Sequence, residues 1–418
     1  MLLLAHLVYD FVNKKLILLT CLPTQTFMSE EILQHSSGRA ATTQVNCHEC
    51  DYAVTLPELQ HKQRALCPRC GFNLTTYRND ASQRIIALAL CALIFLLASL
   101  PFEFLSFSAK GQYQAVDILG SMLILVEQDY ALLAVLQVLA ILVLPGCILL
   151  GLLYLLLPLR FGLRPALGPA VAKVIFALLP WTMTEIFLIG VLVSLIKITS
   201  MADVGMGPSF YAYIMFTLCM TATLLHVDKH QLMVLITSRP PEDHKKSNPS
   251  QSIQTTWALL ATSILLYIPA NTLPIMHTSL LGNDQPSTIL GGVILLWQMG
   301  SYPIAVVIFI ASVFVPVAKL CILCWLNYSV QVGLQVQNKQ RIFWYRMTEF
   351  VGRWSMVDVF VVAVLVSLIQ LGNIMSIHPG YAALAFCAVV ILTMLAAMSF
   401  DSRLIWSQGQ NKQSMNTE

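Results

Sequence analysis

Four cysteines in two pairs, Cys47-His48-Glu49-Cys50 and Cys67-Pro68-Arg69-Cys70, carry the most specific chemistry in the chain. Sixteen residues separate the pairs, the spacing of a zinc ribbon. Each CxxC turn lets two thiolates converge on one ion, and Gly71 gives the second turn the backbone freedom to close. Four sulfurs complete a tetrahedral shell and leave no position for an activated water, so the expected role is structural Zn(2+). Iron in a four-thiolate site is the alternative, since spacing does not separate the two metals. His48 and His61 are expected to be bystanders. The pair Cys321 and Cys324 lies inside an apolar run, where packing is the expectation.

A second set of residues is chemically notable for its setting. Glu185, Lys319 and Asp358 fall in or beside long apolar segments, where a charge costs on the order of 2.5–3.5 kcal/mol. An ion pair between Lys319 and Asp358 is expected. It serves either as structural glue or as part of a polar path that Ser312, Ser367 and Thr393 extend. Arg353 and Trp354 suit an interfacial anchor.

These residues need a membrane to make sense. Hydrophobic residues are 57% of the 418 and charged residues 11%, far below the roughly 25% charge of soluble domains. Eight spans are expected, near Ile85–Leu105, Ala131–Leu157, Val174–Ile196, Ser209–His226, Trp257–Met276, Pro303–Leu326, Val351–Leu371 and Gly380–Phe400. The basic residues Arg78, Arg84, Arg160, Arg164, Lys173, Lys229, Arg239, Lys245, Lys246, Lys339, Arg341, Arg346 and Arg403 all fall in connections on one side. The opposite loops hold only Lys110 and Lys197, which places both termini in the cytoplasm. A net charge of +3 gives no field for nucleic acid. The eleven cysteines are not a disulfide framework, because six of them lie inside apolar runs. No GxxxxGK[ST] loop, paired catalytic carboxylates or nucleophile elbow occurs, so an enzyme is not expected.

Shifted by about 173 positions, the chain matches itself. Trp181, Glu185 and Phe187 meet Trp354, Asp358 and Phe360; Ser194 meets Ser367, Pro145 meets Pro316, and Asp228 meets Asp401. Each copy holds four spans, an even number, so the two copies are parallel. Ile148 stands where Lys319 is matched, so the halves are chemically unequal. The expected organisation is an uncertain extension over 1–40, with Met28 as a possible true start or an amphipathic segment as the alternative. There follow a cytoplasmic ribbon over 41–80, a first repeat over 81–228, a flexible linker over 229–254, a second repeat over 255–406 and a tail over 407–418. The fold class is thus all-α and polytopic with a small zinc-ribbon-like domain. Two short apolar stretches, Asp117–Val126 and Ser287–Gln298, are expected to be interfacial or re-entrant helices.

Beyond these readings, the chain resembles the paraquat-inducible protein A family, which includes a relative in the lipophilic envelope-spanning tunnel system. The resemblance runs from about Cys47 to Trp406. It lies in the two CxxC turns, Ala270-Asn271-Thr272-Leu273-Pro274, Ser287-Thr288-Ile289-Leu290, Phe309-Ile310-Ala311-Ser312 with Val315-Pro316 and Lys319, Gly352-Arg353-Trp354-Ser355-Met356-Val357-Asp358, and Asp401-Ser402-Arg403. Gly300-Ser301-Tyr302-Pro303 and Glu349-Phe350-Val351-Gly352 sit closer to the paraquat-inducible branch. The resemblance implies a bacterial inner-membrane partner of a periplasmic MCE-domain protein, moving phospholipid across the envelope. A scaffold without transport and a small-molecule stress exporter are the alternatives. Family members typically carry a second ribbon between the halves, but residues 227–256 here contain no cysteine.

Overall fold

The computed structural model describes residues 43–57, 59–78, 80–109, 112–127, 131–199, 203–237, 248–280, 283–298, 300, 302–333, 338–368 and 375–406. The expected extension over 1–40 and the tail over 407–418 lie outside them. Two separate hairpins come first, β1 (Thr43–Asn46) with β2 (Ala53–Leu56) and β3 (Arg64–Leu66) with β4 (Asn73–Thr76). Helix α1 (Ala81–Ala98) then leads away to a three-stranded sheet. That sheet pairs β5 (Leu105–Ala109) with β6 (Gln112–Val116) on one side and β7 (Asp203–Met206) on the other, all antiparallel.

Between β6 and β7 run α2 (Ile118–Glu127), α3 (Ala131–Val138), a π segment (Leu139–Val143), α4 (Leu144–Arg160), α5 (Gly168–Leu178) and α6 (Thr184–Thr199). Helix α7 (Pro208–His226) returns to the hairpin end and is followed by α8 (Lys229–Thr237). The same order then recurs. Helix α9 (Pro249–Thr272) leads to β8 (Met276–Leu280) and β9 (Asn283–Ser287), then α10 (Ile289–Gln298), α11 (Tyr302–Phe309), a π segment (Ile310–Phe314) and α12 (Val315–Val332). Last come α13 (Asn338–Trp354), α14 (Val357–Leu368), β10 (Met375–Pro379) and α15 (Tyr381–Ser399), with sheet order β10-β8-β9.

The π segments have a local cause. Pro145 and Pro316 stand in the first turn of α4 and α12, and neither can donate to the carbonyl four residues back. Widening the helix just before each proline relieves the ring clash without breaking the rod. Two glycines are equally constrained. A side chain at Gly207 would run into the Glu103 carbonyl, and one at Gly380 into the Pro274 carbonyl, where each glycine opens the helix after its sheet. Gly380→Ala is expected to destabilise by about 1–3 kcal/mol, as overpacking does. Its melting temperature beside wild type checks this, and an unchanged value would show that the Pro274 turn yields freely.

The core runs through both halves. Helix α14 is buried on every described face, from Val357 through Phe360 and Val364 to Val366, and packs on α6, α2 and α3. At the α6–α14 crossing the Phe187 and Phe360 rings meet edge to face, 5.6 Å apart. A Cβ on Gly190 would lie only 3.0 Å from Phe360 Cβ, so a small residue sets the approach.

On three points the structure differs in detail from these expectations. Among the described residues seven helices, not eight, are long and apolar enough to span. The stretch expected at Val351–Leu371 turns at Ser355–Met356 and yields α14, with twelve described residues. The described residues are mostly helical, as expected, but ten short strands accompany the helices among them. Finally, the linker expected to be flexible begins as α8. The Asp228 carboxylate accepts from the His230 and Gln231 backbone N–H groups at 2.9 and 3.2 Å, and Leu232 and Ile236 are buried.

Candidate metal centre and buried lysine

Each cysteine pair closes a hairpin turn. In the first, the Asp51 N–H donates to the Cys47 carbonyl at 2.9 Å; in the second, the Gly71 N–H donates to the Cys67 carbonyl at 2.8 Å. Both turns place the residue after the second cysteine in the left-handed region, Asp51 at φ 54° and Gly71 at φ 72°. Glycine takes that conformation freely, and aspartate is among the few others that tolerate it. The first turn's special residue was therefore harder to recognise in the sequence than Gly71.

The four Sγ atoms lie within 4.8 Å of one another, with Cys47–Cys70 and Cys50–Cys67 each at 3.5 Å, and all four residues are buried. His48 is exposed and His61 is also outside the cluster. Burial pushes the Cys50 thiol well above its ordinary range and Cys70 up to about 12. Burial opposes ionisation of Cys67 too, but the backbone N–H groups of Cys70 and Arg69 draw it below the usual value. Four clustered thiols of this kind ionise together only around a cation. The sulfur spacing fits one ion at Zn–S distances of about 2.3 Å. These four residues can hold a metal.

The knuckle is docked, and no sequence signal announced its partners. Arg346 on α13 donates through Nε to both Glu49 carboxylate oxygens at 3.2 and 3.0 Å and pairs with that carboxylate through a second nitrogen. Glu49 is only 6% exposed, and its hydrogen bonds hold the Arg346 guanidinium above its usual range despite burial. Glu49 sits inside a CxxC turn, which was the one available hint. Asp228, and Asp401, whose carboxylate accepts from the Arg403 N–H at 3.0 Å, were visible as matched positions but not as turn-formers.

Lys319 lies on α12, 3% exposed, with no hydrogen-bond partner for Nζ among the described groups. It rests against Gly352 of α13, where an added Cβ would sit 2.9 Å from Nζ. Ser312 is buried in the second π segment, and Thr393 is buried on α15 with its hydroxyl donating to the Val390 carbonyl at 2.9 Å. Glu185 is instead exposed on the side of α6, where it accepts from the Thr221 hydroxyl on α7. Trp354 is 38% exposed and stands beside Phe350. The side chains of Arg353, Asp358 and Ser367 lie outside the described ones, and with them the expected Lys319–Asp358 ion pair.

The two halves are not packed alike. Helix α2 buries Ile118, Ser121, Met122 and Leu125 and packs on α14. Its counterpart α10 leaves Leu290, Ile294, Leu295 and Trp297 exposed.

Among the described residues, seven apolar helices, two three-stranded sheets and a four-thiol knuckle define a multi-pass membrane protein with a candidate metal centre. The chain belongs to the paraquat-inducible protein A family, whose model matches residues 82–236 and 253–410. It is 39% identical over 404 residues to the intermembrane transport protein PqiA of Escherichia coli (strain K12), covering 88% of this chain and 96% of that one. Lipophilic envelope-spanning tunnel protein A of the same organism is 29% identical over 391 residues, covering 86% and 90%. A probable intermembrane transport protein of Haemophilus influenzae is 29% identical over 402 residues, covering 87% and 95%. These relatives carry transport names, and none of the names describes an enzyme. No solved structure matches the chain.

Proposed function

We propose that this protein is the bacterial inner-membrane component of an intermembrane lipid transport system. It works with a periplasmic MCE-domain tunnel protein to pass phospholipid-like molecules across the envelope. The carrying observation is Lys319, a charge sequestered at apolar depth in the second half only, since Ile148 replaces it in the first. Together with Asp358, Ser312, Ser367 and Thr393, Lys319 forms a polar path through the second half. Glu185 is the first half's lone remnant, and Arg353 and Trp354 anchor the path at the interface. The uncovered apolar face of α10 supports lipid entry on the same half.

The organisation that serves this role is two parallel repeats over 81–228 and 255–406, with α13 and α14 together taking the place in the second that α5 and α6 hold in the first. Matched π segments, matched sheet orders and the Phe187–Phe360 contact of two matched residues support it. The knuckle over 41–80 holds structural Zn(2+) through Cys47, Cys50, Cys67 and Cys70. When bound, the ion would join the two turns through these four thiolates and would offer no position to an activated water. Both termini and the knuckle face the cytoplasm, following the one-sided Lys and Arg distribution.

The test is reconstitution. Transfer of fluorescent phospholipid from proteoliposomes is measured with this protein and an MCE-domain tunnel protein, each alone and together. Transfer only when both are present is expected. A complex that assembles but neither moves nor copurifies with lipid would show a scaffold instead.

A further inference from the structure

The two hairpins of the knuckle share no strand pairing; β1–β2 and β3–β4 are separate sheets. What joins them is the thiol cluster, together with a hydrogen bond from the Arg69 guanidinium to the Cys50 carbonyl at 3.4 Å. The relative placement of the two turns therefore depends on whatever occupies the four sulfurs.

Arg346 is placed to sense that arrangement. Its guanidinium binds the Glu49 carboxylate in the first turn and donates to the Cys70 carbonyl in the second at 3.2 Å. Both contacts require the turns to be side by side. The short segment after α15 makes a second hold. Ser402 donates to the Glu49 carbonyl at 3.3 Å, Arg403 Nε to the His48 carbonyl at 3.2 Å, and the Arg69 guanidinium lies 4.6 Å over the Trp406 ring. Beneath these contacts the four cysteines share an apolar cluster with Leu326 and Val330 of α12 and Ile342 of α13.

The other face of the knuckle holds the first half. The Thr75 hydroxyl and the Thr76 N–H donate to the Asp228 carboxylate at 3.2 and 2.9 Å, and Arg78 donates to the Leu225 carbonyl at 3.3 Å. The knuckle is thus held to the first half by the chain and these hydrogen bonds, while both metal-binding turns dock on the second. Helix α13 extends the link inwards. Gly352, which faces Lys319 Nζ, lies six residues beyond Arg346, about 9 Å along one rigid helix.

We propose that the four-thiol knuckle is a metal-dependent latch: occupied, it clamps α13 through Arg346 and keeps Gly352 seated against Lys319. The latch rests on the reading of the four thiols as a metal site and is independent of what the protein transports. By linkage, a metal that supports the clamp must itself be held more tightly by it. Substitutions at Glu49 or Arg346, which are not ligands, should loosen the metal, and metal removal should loosen α13.

The test uses the full-length protein in nanodiscs, loaded with Zn(2+). Metal release to a chromophoric chelator is timed for wild type, Glu49→Gln, Arg346→Gln and the double variant, and hydrogen exchange is followed over 338–356 and 399–406. Each single variant should release metal about tenfold faster, within the range that loss of an outer-shell partner produces. The double variant should be no faster than either single. Arg346→Lys, which keeps the charge but not the fork that spans both turns, should behave like Arg346→Gln even if Glu49→Gln folds poorly. Chelation of wild type should raise exchange in both segments and leave α4 unchanged. Wild-type release rates in all variants, or α13 exchange that ignores chelation, would overturn the latch. A wild-type chain that takes up no metal would overturn the metal reading beneath it.

Discussion

Cys67→Ser is expected to abolish stoichiometric metal binding and release the knuckle from its dock. The serine hydroxyl does not ionise at neutral pH, so the site drops to three thiolates. The loss in affinity should exceed the about 10–100-fold that removal of an outer-shell partner costs. Cys67 is the informative choice because its backbone neighbours favour the thiolate, whereas burial raises Cys50 and Cys70. The two hairpins have almost no core of their own: beyond the cysteines, Leu56 is the buried apolar side chain among their described residues. Structural zinc in such small domains supplies folding free energy directly. Elemental analysis of the purified variant should fall from one metal per chain to background. Protease cleavage between residues 43 and 78 should appear where wild type resists. The thiols must shed protons to take up the ion, so wild-type metal retention should weaken as pH falls. The membrane helices should persist, because the main core running through both halves contains none of the four cysteines, which share a separate cluster with the end of α12 at Leu326 and Val330. A variant that keeps one metal and resists cleavage would contradict the four-thiol assignment.

Legibility followed the range of the interactions. The knuckle was readable because a CxxC turn is a local device whose ligand types and spacing are written in a few residues. The spans were readable because apolar length is also local. Strand β5 was not: one partner, β7, lies nearly a hundred residues away, and Leu105–Ala109 alternates too briefly to stand out from a loop. The break before α14 was missed for a related reason. The largely apolar stretch from Val351 onward resembles a span, yet the chain turns at Ser355–Met356, and the described side chains of α14 are buried because α2, α3 and α6 enclose it. The docking of Glu49 on Arg346 joins residues 297 positions apart, and beyond Glu49's place inside a CxxC turn nothing in either local sequence forecasts it. Lys319 is the intermediate case. Its oddity was legible from composition, but its burial against Gly352 was not.

That burial leads to the largest functional effect expected of any substitution here. Lys319→Met with Asp358→Asn removes both expected charges while keeping side-chain volume, so neither substitution leaves the other's charge unbalanced. Breaking one member of a buried pair commonly costs about 3–5 kcal/mol, whereas replacing both with apolar or neutral groups is often neutral or stabilising. The double variant should therefore melt at or above the wild-type temperature. If the residues form the transport path, phospholipid transfer should nevertheless fall at least tenfold in the reconstituted system, a barrier of about 1.4 kcal/mol or more. If they are structural glue, transfer should survive. Gly352→Ala adds an independent check, since its methyl would lie 2.9 Å from Nζ and push the lysine from its seat without touching its charge. Transfer should drop in that variant too, with both charges intact. A double variant that is stable and transfers lipid at the wild-type rate would remove Lys319 from the mechanism and leave its burial a matter of packing.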